Sequence, residues 1–233
     1  MSSKITVNRL RAFVDQKGHH GNPTGIILDL EKRLGQPERQ RIATKLSFTD
    51  TVFINNVDPV NVSFHNPQQE TKFAGDALIS TSYFVKHTLK KDFEIIICKG
   101  GRIRTWQEGD LTWIEADLDG TPPWQHKQLS SGYDVDKITN AEAMRYEHTM
   151  VWAWVDKDKG LVRSRTFLPD WGTLEDQGNG SGSMQLSKIV NRRIEISQGK
   201  GSVIYAEPAK NNFVRVGGRV MMDKTLIELF DGS

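Results

Sequence analysis

The chain has 233 residues, of which 37% are hydrophobic and 26% charged, and a formal net charge of +2. This length suffices for one large domain or two small ones with buried cores, and the composition is that of an ordinary soluble protein. A charge so close to neutrality gives no reason to expect a nucleic acid or an acidic membrane as a partner.

Cysteine usage and the N-terminal segment indicate the compartment. Cys98 is the single cysteine, which excludes an internal disulfide and fits a reducing environment. Residues 1–14 carry too many charges for a signal peptide. No apolar run approaches the length of a membrane span. We therefore expect a cytoplasmic protein with no membrane partner.

Apolar alternation and turn residues in the first half of the chain predict a series of strands and two helices. The first helix starts near Pro37, which suits the first helical position, and the second covers residues 76–88. The predicted strands of this half are residues 5–14, 24–30, 51–55, 60–64, 93–98, 102–106 and 111–116.

The second half begins with the best candidate for a linker, residues 118–131, which contain Pro122-Pro123 and little apolar periodicity. Gly217-Gly218 predicts a bulge or a close backbone contact. The predicted elements are helices at 138–146 and 181–190 and strands at 149–155, 161–167, 193–197, 202–206 and 212–221.

A loose internal repeat connects the two halves. Each copy is a strand, a loop that contains proline, and a glycine-plus-polar pair that opens a helix, Gly75-Asp76 in the first copy and Gly180-Ser181 in the second. A helix N-terminus presents unpaired N–H groups and a positive dipole end, and glycine lets an anion approach closely. Two facing ends could hold one carboxylate between them. For either end alone, simple N-capping is the better interpretation.

Carboxylates accompany the repeat and could move protons. Asp50 lies at a helix-to-strand junction, Asp76 opens the first repeat helix, and Glu175-Asp176 precede the second. A proton shuttle needs an acid and a base on one cavity, with at least one pKa moved towards neutrality. The alternative interpretation is that these are solvated turn residues.

Metal and nucleotide sites are not indicated. His19-His20 and His65 lack the companion ligands of a zinc site. The glycine-rich stretch at residues 178–183 lacks the Gly-Lys-Ser/Thr ending of a phosphate loop. The sequence thus predicts neither a metal nor a cofactor.

Five segments, taken in order, resemble the PhzF-like phenazine-biosynthesis family. Asp50 falls where the family has its acid/base glutamate, and Asp76 stands where the family usually has histidine. The similar segments are Gly21-Asn22-Pro23, residues 46–54, Phe73-Ala74-Gly75-Asp76-Ala77-Leu78, residues 175–181 and Ile196-Ser197-Gln198-Gly199.

The resemblance implies the α+β fold of diaminopimelate epimerase. In that fold, two pseudo-symmetric lobes each consist of a rolled sheet around a central helix, and the active site lies in the cleft between them. The lobes would be residues 1–118, to which the last strand of the chain can return, and 119–233, shortened near 130–148. A homodimer is also implied.

The implied activity is a cofactor-independent isomerase or epimerase that moves protons on a small carboxylated substrate in secondary metabolism. Two alternatives stay open: a catalytically decayed protein that binds a ligand or regulates a partner, and a catalyst of double-bond shifts or pericyclic reactions. The implied catalytic residues are Asp50, Asp76 and Asp176, and the implied substrate-binding residues are Asn22, Gly75, Gly180, Ser181 and Gln198.

Overall fold

A computed structural model describes residues 4–223 and 227–230 of the chain. Strands predominate in this part, and the helices are few. The strands are β1 Lys4–Val14, β2 Asn22–Leu28, β3 Asp50–Val57, β4 Val60–His65, β5 Glu70–Thr71, β6 Ile95–Cys98, β7 Gly101–Glu108, β8 Leu111–Asp117, β9 Gln125–Gln128, β10 Thr149–Asp156, β11 Leu161–Leu168, β12 Thr173–Asp176, β13 Ile194–Gln198, β14 Ser202–Pro208, β15 Phe213–Met222 and β16 Ile227–Phe230. The helices are α1 Gln36–Leu46, α2 Gly75–His87, α3 Gly132–Asp136, α4 Asn140–Ala143 and α5 Gly180–Ile189.

The strands predicted from alternation are all present, and so are the long helices α1, α2 and α5. The prediction was wrong between residues 118 and 148. The proposed linker contains a 3-10 turn at Leu118–Gly120 and the edge strand β9, which pairs in parallel with β10. The helix expected at 138–146 is shortened to α4, and a separate short helix, α3, precedes it, because Ser131 and Thr139 each cap the start of a separate turn.

One half of the sheet closes on itself. β1 pairs with β2 on one side and with β15 on the other, and β15 also pairs with β8. A closed ring results, in the order β1, β2, β3, β4, β6, β7, β8 and β15. Helix α2 packs against strands of this ring, and its residues from Gly75 to Ser82 are all buried.

The rest of the sheet continues from the ring through β15. Its order is β15, β14, β13, β11, β10 and β9, with β12 added to β11. Helix α5 packs against β14 and β15 and also touches α2. One hydrophobic core runs through both parts, from Leu10 and Val52 to Ile196 and Ile204. Both repeat helices therefore contribute to one shared core.

Gly217 and Gly218 lie in close contact with aromatic side chains, and two consecutive glycines had predicted a bulge or a close backbone contact here. A methyl group on Gly217 would lie 2.4 Å from the Trp113 ring, and one on Gly218 would lie 2.5 Å from the Phe13 ring. These aromatic rings therefore pack directly on the backbone of β15. In the described residues, none of the helices has the length and apolar character needed to cross a membrane.

Candidate active site

The two repeat helices begin next to one another. A methyl group on Gly75 would lie 3.0 Å from the Cα atom of Gly180, and one on Gly180 would lie 3.1 Å from the Cα atom of Gly75. The close approach of the two helix ends is what the internal repeat predicted. The first N–H groups of each helix have no partner within the helix, and Gly75 and Gly180 line the same space.

Asp50 enters this space from the first position of β3. Helix α1 ends at Ser47, which adopts the left-handed conformation with φ 51°, and the chain then turns into the strand. There Asp50 pairs with Thr24 of β2, and only 6% of its surface is exposed. The turn after α1 thus places a carboxyl group in a buried position beside the start of α2.

Asp50 and Asp76 are close neighbours whose carboxyl groups interact directly. Burial raises the pKa of the Asp50 carboxyl well above its usual range, and the charges of Asp76 and Asp176 raise it further. Burial and the charge of Asp176 also raise the pKa of Asp76, to about 7, although the N–H of Ala77 and the amide of Asn22 oppose that rise. At neutral pH the pair therefore holds a proton that one member can donate while the other accepts.

Asp176 is fixed by hydrogen bonds at both carboxylate oxygens. Oδ1 accepts from Nδ2 of Asn22 at 2.6 Å and from the N–H of Gly178 at 2.9 Å. Oδ2 accepts from Nδ2 of Asn179 at 2.9 Å. These three donors fix the orientation of the Asp176 carboxylate.

Asn22 connects the carboxyl groups of the two halves of the chain. It is 1% exposed at the start of β2. Its Nδ2 lies 3.3 Å from Oδ2 of Asp76, in addition to its 2.6 Å bond to Asp176. Nδ2 also donates to the carbonyl of Gly178 at 3.1 Å. One amide therefore offsets part of the repulsion between Asp76 and Asp176.

The start of α5 has its own internal supports. Asn179 is the N-cap, and its Oδ1 accepts from the N–H of Gly182. The indole N–H of Trp124 donates to Oγ of Ser181 at 2.8 Å. The N–H of Gly182 thus has an acceptor in the side chain of Asn179. The N–H groups of Gly180 and Ser181 occupy helix positions that have no intrahelical acceptor.

A cavity with an empty volume of about 640 Å³, its open mouth included, lies in front of these groups. Aromatic rings form part of its wall. The rings of Trp124 and Trp171 have centroids 6.4 Å apart, and that of His148 packs 4.2 Å from Trp171. Phe73 and Leu168 add apolar surface to the lining. The cavity thus combines a polar floor with an apolar wall.

The predicted site residues fall into two groups. The cavity is lined by six of them, Asp50, Gly75, Asp76, Asp176, Gly180 and Ser181. The other two, Asn22 and Gln198, lie behind the lining. Gln198 is fully buried, and its Nε2 donates to Oγ1 of Thr166 at 2.9 Å and to the carbonyl of Asp176 at 3.2 Å. Glu175, a candidate acid in the sequence, instead forms an ion pair with Arg165 at 2.7 Å.

Sequence reasoning missed several residues that shape the site. Asn179 could have been found, because an asparagine before a glycine-serine helix start is a typical N-cap. Trp124 could not, since its partner Ser181 is 57 positions away. Phe13 was also missed. It sits in a β-bulge of β1 with φ 65°, and its ring packs against Gly180.

The described residues contain no group of three or more His, Cys, Asp or Glu side chains arranged to hold a metal ion. Asp50, Asp76 and Asp176 are engaged with one another and with amide donors. The arrangement places carboxyl groups capable of proton transfer beside two helix N-termini.

A sequence profile of one family matches the chain. The family is described as phenazine biosynthesis-like protein, PhzC-PhzF, and the match covers residues 10–145, more than half of the chain. The matched region contains Asn22, Asp50, Gly75 and Asp76 but ends before β10.

Solved structures share the fold over nearly the whole chain. The phenazine biosynthesis protein of the PhzF family from Enterococcus faecalis has a TM-score of 0.79 at 18% identity, with 98% of this chain and 99% of that one covered. A PhzC/PhzF protein from Clostridium difficile has a TM-score of 0.76 at 18% identity, with 97% and 98% covered. A hydroxyproline epimerase from Agrobacterium vitis, with bound trans-4-OH-L-proline, has a TM-score of 0.63 at 10% identity, with 97% and 92% covered. These likenesses establish the fold.

Proposed function

The chain belongs to the PhzC-PhzF family of phenazine biosynthesis-like proteins, and from this membership and the geometry of the cavity we propose that it is an isomerase or epimerase. It would move a proton on a small carboxylated substrate without a cofactor. The observation that carries the proposal is the position of Asp50 and Asp76 on one cavity, beside two adjoining helix N-termini. The hydroxyproline epimerase that shares the fold supports the same class of reaction.

The helix ends supply the binding step. A substrate carboxylate in front of Gly75 and Gly180 would accept hydrogen bonds from the first N–H groups of α2 and α5, and both helix dipoles would favour its charge. Removal of a proton from the neighbouring carbon moves an electron pair towards this carboxylate. The same N–H groups would stabilise the enediolate that forms.

The carboxyl pair supplies the proton transfer. The member that is ionised removes the proton from carbon, and the protonated member returns one to another carbon on the same side of the substrate. Return to the opposite face of the same carbon would require the two carboxyl groups to separate around the substrate. A raised pKa suits both roles, because it makes the base stronger and keeps the acid protonated near neutral pH. Asp176 would orient the pair through Asn22, since its own oxygens are already engaged.

The two-lobe organisation is part of the proposal. We infer a first lobe of residues 1–118 with α2 as its central helix and a second of residues 119–233 with α5 in that role. The packing of α2 on the strand ring and of α5 on β14 and β15 supports this division. The homodimer and the cytoplasmic location expected from the sequence stay predictions, which sedimentation and cell fractionation would test.

Hydrogen exchange tests the proposed reaction. The protein is incubated in D2O with a mixture of small carboxylic and amino acids, and mass spectrometry follows deuterium that becomes bound to carbon. We expect incorporation into at least one acid, and a loss of roughly hundredfold or more in the Asp50→Asn variant. Asp92→Asn, a change at an exposed position, is the matched control.

The possible results separate the alternatives. Undiminished exchange in Asp50→Asn would remove Asp50 from the catalytic role. Tight binding of an acid with no exchange in the wild type would favour a decayed, ligand-binding protein. A product that forms without deuterium at carbon would favour a pericyclic rearrangement. The melting temperature of each variant shows whether a loss of exchange is merely a loss of folding.

A further inference from the structure

A short segment between the two halves of the chain is fastened to the start of α5. It connects β8 to β9 and contains Trp124. Gln185 of α5 holds this segment with three hydrogen bonds. Its Nε2 donates to Oγ1 of Thr121 at 3.0 Å and to the carbonyl of Pro122 at 2.7 Å, and its Oε1 accepts from the backbone N–H of Trp124 at 3.1 Å. One side chain thus fixes the position of the segment along the helix.

The same attachment brings the indole of Trp124 to the cavity. Ser181 lies one helical turn before Gln185, on the same face of α5, and its Oγ accepts from the indole N–H at 2.8 Å. An indole nitrogen can only donate, so this contact fixes the serine oxygen as the acceptor. Ser181 is 6% exposed and lines the cavity. The polarity of this bond therefore limits where the serine hydrogen can point.

The hydrogen of the Ser181 hydroxyl has no well-placed acceptor among the described residues. Its one contact there is with Oδ1 of Asn179 at 3.5 Å, which is longer than the ~2.5–3.0 Å of an O–H···O hydrogen bond. That oxygen already accepts from the N–H of Gly182 at 2.5 Å. Ser183 of the same helix differs, because its hydroxyl donates to the carbonyl of Asn179 at 2.7 Å. The hydroxyl hydrogen of Ser181 is therefore available to a ligand.

We propose that Trp124 is a positioning residue of this site. By donating to Oγ of Ser181, it leaves the serine hydrogen to donate to an oxygen atom of a ligand in front of Gly75 and Gly180. The hydroxyl would supplement the N–H groups of α2 and α5 in stabilising the carboxylate and the enediolate. The inference rests on the proposed function, since it needs a carboxylate at the helix ends. It adds a donor whose direction is controlled from the segment between β8 and β9.

Acetate, a carboxylate with a single methyl group, tests this donor without turnover. Its dissociation constant is measured by NMR titration at pH 6, where Asp76, with a pKa of about 7, is mostly protonated. Ser181→Ala should weaken binding about tenfold, and Trp124→Phe about threefold, since the hydroxyl remains but is no longer oriented. The double variant should bind no more weakly than Ser181→Ala alone, because Trp124 acts through Ser181.

Two controls separate this role from a contribution of the Trp124 ring to the cavity wall. Trp171→Phe changes the neighbouring tryptophan of the wall, and it should alter acetate affinity by the same factor in the wild type and in Ser181→Ala. Ser183→Ala removes a hydroxyl that already has a protein acceptor, and it should change the affinity by less than about twofold. A weakening by Trp124→Phe that persists in full in Ser181→Ala would overturn the positioning role. Thermal unfolding shows whether each variant is folded.

The indole N–H resonance of Trp124 gives a readout in the wild type itself. After assignment by triple-resonance NMR, it should move downfield when acetate is added, because a hydroxyl that donates becomes a stronger acceptor. In Ser181→Ala, acetate should leave the resonance in place. No downfield movement in the wild type at saturating acetate would overturn the inference.

Failure of this inference differs from failure of the proposed function. If Ser181→Ala binds acetate as tightly as the wild type, the hydroxyl is not a donor and the inference is overturned, while the helix ends still hold a carboxylate. If the wild type binds no acetate at about 100 mM, the carboxylate site of the proposed function fails together with the inference. Deuterium exchange tests the reaction independently of both results.

Discussion

Gly75 and Gly180 contact each other through their backbones, so neither position has room for a side chain. The calculated separations of 3.0 and 3.1 Å for an added methyl group are shorter than the ~3.5–4.0 Å at which carbon atoms pack. The contact brings two helix N-termini to one cavity. It is therefore a requirement of the anion site as well as of the fold.

Gly75→Ala should disturb both properties. The added methyl group would force α2 and α5 apart and lower the free energy of unfolding by roughly 1–3 kcal/mol. Denaturant unfolding measures this change, and calorimetry with the acid identified by deuterium exchange measures the weaker binding. Ser80→Ala, on the buried face of the same helix, removes a hydroxyl without adding volume and is the control. Normal binding by a stable Gly75→Ala variant would contradict the anion site.

Asp76→Asn should change how stability depends on pH. The pKa of Asp76 is about 7 in the folded protein and 3.8 as its reference value, so between these values the folded state holds a proton that the unfolded chain has released. This group therefore lowers stability as pH rises through that window, by up to roughly 4 kcal/mol. Asparagine does not titrate and avoids that loss.

The informative measurement is the difference between the two proteins. Burial lowers the pKa of His65 and that of His126, the latter to about 4, so these groups raise stability with pH and oppose Asp76 in the wild type. The melting temperature of Asp76→Asn relative to wild type should increase from pH 4.5 to pH 8. A difference that is constant with pH would show that Asp76 titrates normally.

Asn22→Leu tests the amide that lies between the two halves of the site. Leucine has nearly the same shape but donates nothing to Asp76 or Asp176. We expect destabilisation of roughly 1–3 kcal/mol, larger at pH 8 than at pH 5, because two carboxylates lose a shared donor. The pKa of Asp76 should also rise, which carbon NMR of its carboxyl group can follow. Asn8→Leu, which removes a single bond of 3.3 Å to a strand carbonyl, is the control.

The bond between Trp124 and Ser181 can be isolated by a double-mutant cycle. Trp124→Phe keeps an aromatic ring in the wall, and Ser181→Ala keeps the helix start. Each change should cost about 1 kcal/mol, and the double variant should cost less than their sum by about the value of one hydrogen bond. Additive costs in denaturant unfolding would show that the 2.8 Å contact contributes nothing.

Much of the fold could be predicted from short segments of the sequence. The alternation of β1, the proline at the start of α1 and the glycine-plus-polar starts of α2 and α5 each depend on residues close in sequence. For that reason they could be read from the sequence. The repeat also predicted that the two helix N-termini lie next to each other, because equivalent elements of two similar halves tend to occupy equivalent places.

The walls of the site could not be read in the same way. Trp124 and Trp171 belong to segments with weak patterns, and their contacts are made with residues distant in sequence. β9 was missed because a short strand at a sheet edge is defined by its partner β10 rather than by its own alternation. The raised pKa of Asp76 likewise depends on burial and on Asp176, which only the folded arrangement supplies.

The position of β15 between β1 and β8 has a consequence for biosynthesis. Asp50 and Asp76 emerge from the ribosome long before residues 213–222, yet the ring around α2 closes only when that late strand arrives. Until then the nascent chain exposes two unpaired strand edges, which favour association with other chains. We expect chains that stop before residue 213 to aggregate or to bind chaperones although both carboxyl groups are present. The carboxyl pair of the first half of the chain thus reaches its final surroundings only near the end of translation.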